Sequence, residues 1–100
     1  MTTLVFDQEF RIARDTPSDI NEHMEVLKGL ADEVDHVTEM GTRTGVSTRA
    51  FLASDVIVRA YDLFLDGRVQ ELFKIAQEEG KDAEYIQSSH LVTKTFLLLR

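Results

Sequence analysis

The run Glu39-Met40-Gly41-Thr42-Arg43-Thr44-Gly45 limits what this chain can fold into more than any other stretch of it. It follows a short apolar segment and leads into a predicted helix, so its glycines stand at a strand-to-helix turn. Glycine supplies the positive φ such a turn needs and lets the backbone approach a ligand closely. Backbone N–H groups around Thr42 to Val46 are expected to point toward a ligand at the start of the following helix, whose end carries partial positive charge. Glu39 would repel a bare phosphate and favour an ammonium, which suits an amino-acid-like ligand carrying both charges.

The elements around the turn alternate. Phe6, Phe10 and Ala13 recur at helical spacing and predict a short amphipathic helix, with Asp7, Glu9, Arg11 and Arg14 at its other positions. Thr16-Pro17-Ser18-Asp19 breaks it. Thr16 or Ser18 is expected to cap the next helix, with Pro17 near its first turn and Asp19 beside its positive end. Ile20, Met24, Leu27, Leu30 and Ala31 give that helix one apolar stripe. His36 to Met40 reads as a strand, Ser47 as the cap of a short helix carrying Ala50, Phe51, Leu52 and Ala53, and Val56 to Tyr61 as a buried strand stopping at Asp62. Asp66-Gly67 opens a further helix with Val69, Leu72, Phe73 and Ala76 on one face, and Gly80 ends it. Residues 83–87 and 95–99 read as a third and a fourth strand.

Strand, turn, helix, strand is a βαβ unit, and the alternation predicts an α/β fold: a Rossmann-like three-layer sandwich with a mostly parallel sheet. With 100 residues and 43% hydrophobic composition, one domain over 1–100 is expected, made of an N-terminal helical segment (1–16) and a core (17–100). The net charge of -7 argues against a nucleic-acid partner. The absence of cysteine removes disulfides and thiolate chemistry and fits a reducing cytosol. The N-terminus does not read as a secretory signal, and no stretch is long and apolar enough to span a bilayer, so a soluble, cytoplasmic protein without a membrane partner is expected.

Asp62 follows Glu39 by 23 positions, at the tip of the second predicted strand. Dinucleotide folds place the carboxylate that accepts the ribose hydroxyls at about this distance. Turn and carboxylate together point to an adenosyl ligand. The plainer alternatives are a tight connection without a ligand, Glu39 as a capping or ion-paired residue, and Asp62 as the start of a turn.

These residues resemble the class I S-adenosylmethionine-dependent methyltransferases. The run from Glu39 to Gly45 looks like their first cofactor motif, and Tyr61-Asp62 like the acidic end of their second strand. Pro17-Ser18-Asp19-Ile20-Asn21-Glu22-His23 and Thr42-Arg43-Thr44-Gly45-Val46-Ser47-Thr48 are similar to a bacterial and phage subgroup, and the likeness covers roughly residues 16–87. It implies S-adenosyl-L-methionine as cofactor, with Glu39, Gly41 and Gly45 along its methionine part, Asp62 on the ribose and Leu63 at the adenine. Thr42, Arg43, Thr44 and Ser47 complete the implied set. Near the adenine amino group the family often has an acid, where this chain offers Ser88-Ser89-His90, so Ser88 or Ser89 would substitute with a hydroxyl.

The family's fourth strand usually ends in a motif near the transferred methyl, whereas this chain closes on Leu97-Leu98-Leu99-Arg100. The resemblance therefore implies about the first half of such an enzyme, cut after the fourth strand, with no residue identified for catalysis or acceptor activation. Apolar surface around Phe96, Leu97 and Leu98 would then seek a partner, which predicts a homo-oligomer through the C-terminal strand. The expected function is an S-adenosylmethionine-binding, methyltransferase-like domain with an unidentified acceptor. The alternative is a non-catalytic cofactor-binding or self-assembling fragment.

Other chemistry reads poorly. His23, His36 and His90 lack ligand spacing, so no metal is expected. Neither Ser88 nor Ser89 is framed by a nucleophile elbow. Glu39 would crowd a dinucleotide's pyrophosphate, which disfavours a nicotinamide cofactor.

Overall fold

A computed structural model describes residues 4–88 and 95–99, the last segment by its backbone. Ser89, His90 and Arg100, and the side chains of Phe96, Leu97 and Leu98, lie outside the described residues.

The first helix, α1 (Leu4–Asp15), buries Phe6, Phe10 and Ala13 as their spacing predicts. Thr16 closes this helix instead of opening the next, because its hydroxyl donates to the Ile12 carbonyl at 2.6 Å. The following residues form a small polar knot in which Ser18 N–H donates to Asn21 Oδ1 at 3.0 Å. A 3-10 turn (Asn21–His23) then precedes α2 (Met24–Ala31), so Ile20 falls outside the helix it was expected to join. Met24 and Ala31 are buried, while Leu30 keeps 42% exposure. Asp19 does not serve the helix end either. It pairs with Arg43 at 2.8 Å.

The sheet contains β1 (His36–Met40), β2 (Ile57–Asp62), β3 (Ala83–Gln87) and β4 (Thr95–Leu99), in the order β3-β2-β1-β4. The first three are parallel, with Glu39 opposite Ala60 and Asp62 opposite Gln87. The last runs antiparallel on β1, with Leu97 at the register position opposite Thr38. Residues 88–94 are too few for the crossover of a dozen or more residues that a parallel fourth strand requires. The expected mostly parallel sheet therefore has one reversed edge.

Two helices connect the parallel strands, α3 (Val46–Leu52) and α4 (Gly67–Glu78). Right-handed crossovers running in the same direction across a sheet bring both helices to the same face. The strands agree: Val37, Glu39, Val58, Ala60 and Ala83 are buried, and alternate with residues that keep partial exposure. Helices α1 and α2 pack on α3. Among the described residues this gives a sheet with one helical layer, a Rossmann-like α/β arrangement of two layers where three were expected. The core unites Phe6, Phe10, Phe51, Leu52, Val69 and Phe73 with the buried strand residues. No helix among the described residues is long and apolar enough to cross a membrane.

Asp66 starts α4 as expected, its Oδ1 accepting from the N–H of Arg68 and Val69 at 2.9 and 3.0 Å. The start of α3 departs from expectation. Gly45 is its N-cap, at φ +86°, and Ser47 lies inside the helix. A Cβ on Gly45 would stand 2.8 Å from Val69 Cγ2 and 3.2 Å from Arg49 Nη1, so the missing side chain is what lets α3 begin against α4. Gly45→Ala is expected to destabilise the chain by about 2–4 kcal/mol, combining left-handed strain with overpacking. Urea unfolding followed by circular dichroism measures it.

Candidate functional site

Because β1 and β2 are adjacent and parallel, their tips meet at one edge of the sheet, and the turn from Gly41 to Gly45 lies between them. The Gly41 N–H donates to the Tyr61 carbonyl at 2.7 Å, extending the β1–β2 ladder into the turn. Gly41 takes φ +88° and Arg43 φ +51°, so the turn winds through left-handed conformations at three positions including Gly45. Arg49 fixes its far end. This buried arginine donates through Nη1 to the carbonyls of Thr44 and Gly45 at 3.1 and 2.9 Å, and through Nε to Glu9 at 2.9 Å.

Asp62 sits beneath the turn and holds it. Its Oδ2 accepts from Thr42 N–H at 2.9 Å, the Thr42 hydroxyl at 2.9 Å and Arg43 N–H at 3.2 Å, while Oδ1 accepts from Leu63 N–H at 2.9 Å. Partial burial works to raise this carboxyl. The bonds from the Thr42 hydroxyl and from the amides of Thr42, Leu63 and Arg43 outweigh it, leaving Asp62 below the ordinary aspartate range. The Gly45 N–H is also taken, by the Thr42 carbonyl at 2.9 Å. The amides of Thr42, Arg43 and Gly45, expected to face a ligand, thus bind the chain itself in this structure.

Glu39 is fully buried, and its two oxygens accept from the hydroxyls of Ser47 and Thr48. Its position on the buried side of β1 aims the carboxylate into the first turn of α3, where it braces the helix against the strand. In this arrangement it presents no open face to a ligand ammonium. Ser47, expected as a helix cap and cofactor residue, is a donor to Glu39.

Two residues that the sequence reading set apart, Leu63 and Ser88, do come together. Leu63 and Ser88 share a groove of about 510 Å³ with Phe64 and Gln87. Ser88 N–H donates to the Asp62 carbonyl at 2.8 Å, and Gln87 Nε2 to the Leu63 carbonyl at 2.9 Å, so this groove directly adjoins the Asp62 tip. Phe64, 80% exposed, lines this groove and was not singled out from the sequence. Its signal was an aromatic side chain two residues after a polar strand tip. Arg49 was also missed, although a single charged residue in an otherwise uncharged helix marks a buried ion pair.

A second groove, of about 520 Å³, lies between α1, α3 and α4, lined by Glu9, Arg49, Arg68, Glu71, Leu72 and Ile75 among others. Its buried arginine is committed to Glu9 and to the turn's carbonyls, so the groove reads as the outer side of the bracket that fixes the turn. Among the described residues no cluster of His, Asp and Glu is arranged to hold a metal ion. Comparison with protein-family models, with curated proteins and with solved structures gave no match to this chain.

Since the Asp62 carboxyl is lowered by folding, its contribution is complete above the unfolded value of about 3.9 and is lost as pH falls through the lower folded value. The turn should therefore hold unchanged from neutral pH down to about 4 and loosen only below it. Amide resonances of Thr42, Arg43 and Leu63 moving together in that acid range would report the loss; a shared midpoint above the unfolded value would contradict the sign.

Proposed function

We propose that this chain binds an adenosyl ligand, S-adenosyl-L-methionine or its demethylated product, at the edge where the tips of β1 and β2 meet. The observation that carries this reading is the adjacency of the Asp62 carboxylate to the groove of Leu63, Phe64, Gln87 and Ser88. A carboxylate beside an apolar, aromatic-bearing groove matches a ribose joined to a flat base: the carboxylate accepts hydroxyl protons while the ring of Phe64 offers a stacking face. Ser88 lies where a hydroxyl can meet the base's polar edge. Open α/β sheets bind ligands outside the carboxyl ends of their strands, which is the edge concerned here.

The chemistry supplied by S-adenosyl-L-methionine is an activated methyl on a sulfonium, which asks of a protein mainly alignment with a nucleophilic acceptor. In this chain Gly41, Thr42, Arg43, Thr44 and Gly45 would form the wall beside the ligand, Asp62 its ribose contact, and Leu63 with Phe64 its base contact. Glu39 and Ser47 support that wall from inside. No residue of the chain is assigned to the methyl acceptor.

A second reading, a non-catalytic assembly module, is favoured by one feature. Among the described residues strand β4 pairs with β1 on one side only, and an open strand edge is a template for pairing with another chain. Light scattering across micromolar concentrations tests it, and a monomer mass throughout would dismiss it.

Calorimetric titration with S-adenosylhomocysteine checks the leading reading. Binding should weaken by about 1–3 kcal/mol in Asp62→Ala, through loss of a charged hydrogen bond, and by about 1 kcal/mol in Phe64→Ala, through loss of ring contact. Affinity unchanged in both variants, with the fold intact by circular dichroism, would overturn the placement of the ligand.

A further inference from the structure

The carboxylate that the adenosyl reading assigns to a ribose is already engaged, and the pattern of its partners fixes what a ligand must displace. Of the two oxygens of Asp62, Oδ2 accepts three donors and Oδ1 accepts one. A carboxylate oxygen offers about two lone-pair directions, so Oδ2 is saturated and only Oδ1 retains an open one. A vicinal diol donates two hydrogen bonds, and a carboxylate receives both through its two oxygens. In the present arrangement Asp62 can receive just one.

The hydroxyl on Oδ2 belongs to a chain whose direction can be worked out. Asp66 N–H donates to the Tyr85 oxygen at 3.0 Å, the Tyr85 and Thr42 hydroxyls are 2.9 Å apart, and the Thr42 hydroxyl lies 2.9 Å from Asp62 Oδ2. An ionised carboxylate only accepts, so the single Thr42 proton points to Asp62, in preference to the Arg43 carbonyl at 3.4 Å. The Tyr85 proton must then point to Thr42. Every donor runs one way, from the start of α4 through the middle of β3 and the turn into the carboxylate at the tip of β2, and each bond polarises the next. The Tyr85 ring itself is held by stacking on Phe73, with centroids 5.4 Å apart.

We propose that Thr42 and Tyr85 are positioning residues that latch the turn over Asp62, and that an adenosyl ligand binds by exchanging its ribose hydroxyls for the turn's donors on Oδ2. The inference rests on the adenosyl reading and adds the contact that regulates its site. In the free chain the latch fills Oδ2; in the complex the turn swings off Oδ2 and the diol takes its place. Affinity is accordingly set by the difference between the two sets of bonds, so a weaker latch gives tighter binding. A residue that merely supported the fold would act in the opposite sense.

The experiment uses the full chain, with S-adenosylhomocysteine as probe. Thr42→Val removes the hydroxyl and keeps the branched shape, and Tyr85→Phe removes the chain's donor while leaving the ring on Phe73. Each should tighten calorimetric binding by about three- to tenfold, the worth of one hydrogen bond. In parallel, the Thr42 and Arg43 amide resonances of the parent chain should shift on saturation as their bonds to Asp62 break. Binding of the probe with those amides unmoved, or with both variants equal to or weaker than the parent, overturns the latch and leaves the adenosyl reading standing. No binding to the parent or to either variant overturns both.

Discussion

The Asp62 carboxylate is the fixed point to which the turn at the strand tips is tied. A turn with three residues at positive φ does not hold its shape by conformational preference, because Arg43 pays for a conformation that only glycine enters freely. It holds because its leading amides converge on one charged acceptor and its trailing carbonyls on one charged donor, Arg49. Charge-assisted hydrogen bonds are shorter and stronger than neutral ones, which suits them to fixing a loop. The turn is therefore suspended between an anion on β2 and a cation on α3.

That suspension explains why polar groups sit so deep in a small chain. A buried carboxylate or guanidinium is costly unless its hydrogen-bonding capacity is met. Glu39 meets it with the hydroxyls of Ser47 and Thr48, and Arg49 with Glu9 and the turn's carbonyls. These pairings join separate elements: β1 to the helix that follows it for Glu39, and α1 to α3, 40 positions apart, for Arg49 with Glu9. Apolar packing around Phe6, Phe51 and Phe73 fills the space between, but the polar pairs fix how the turn is aimed.

The sheet reflects the same economy of chain. Both crossover helices lie on one face, and the reversed fourth strand follows from a connection too short to cross over. The polar edge where strands β1, β2 and β3 end is thus the place where turn, carboxylate, groove and hydroxyl chain meet. Ligand exchange at this edge would disturb hydrogen bonds while leaving the apolar core in place.

Local signals in the sequence determined the helical face of Phe6, Phe10 and Ala13, the bounds of β1 and β3, the Asp66 cap and the glycine turn, since periodicity and capping depend on neighbours a few residues apart. They also located the carboxylates at the strand tips. The sequence misread Thr16 and Ser47 as helix caps, because a hydroxyl has many possible partners and only the folded chain presents the Ile12 carbonyl to one and Glu39 to the other. It carried no trace of the pairing of Thr42 with Tyr85, 43 positions apart, or of the engagement of Asp62 by the turn. Strand order and register decided those contacts, and both arise from packing between elements that no local pattern encodes.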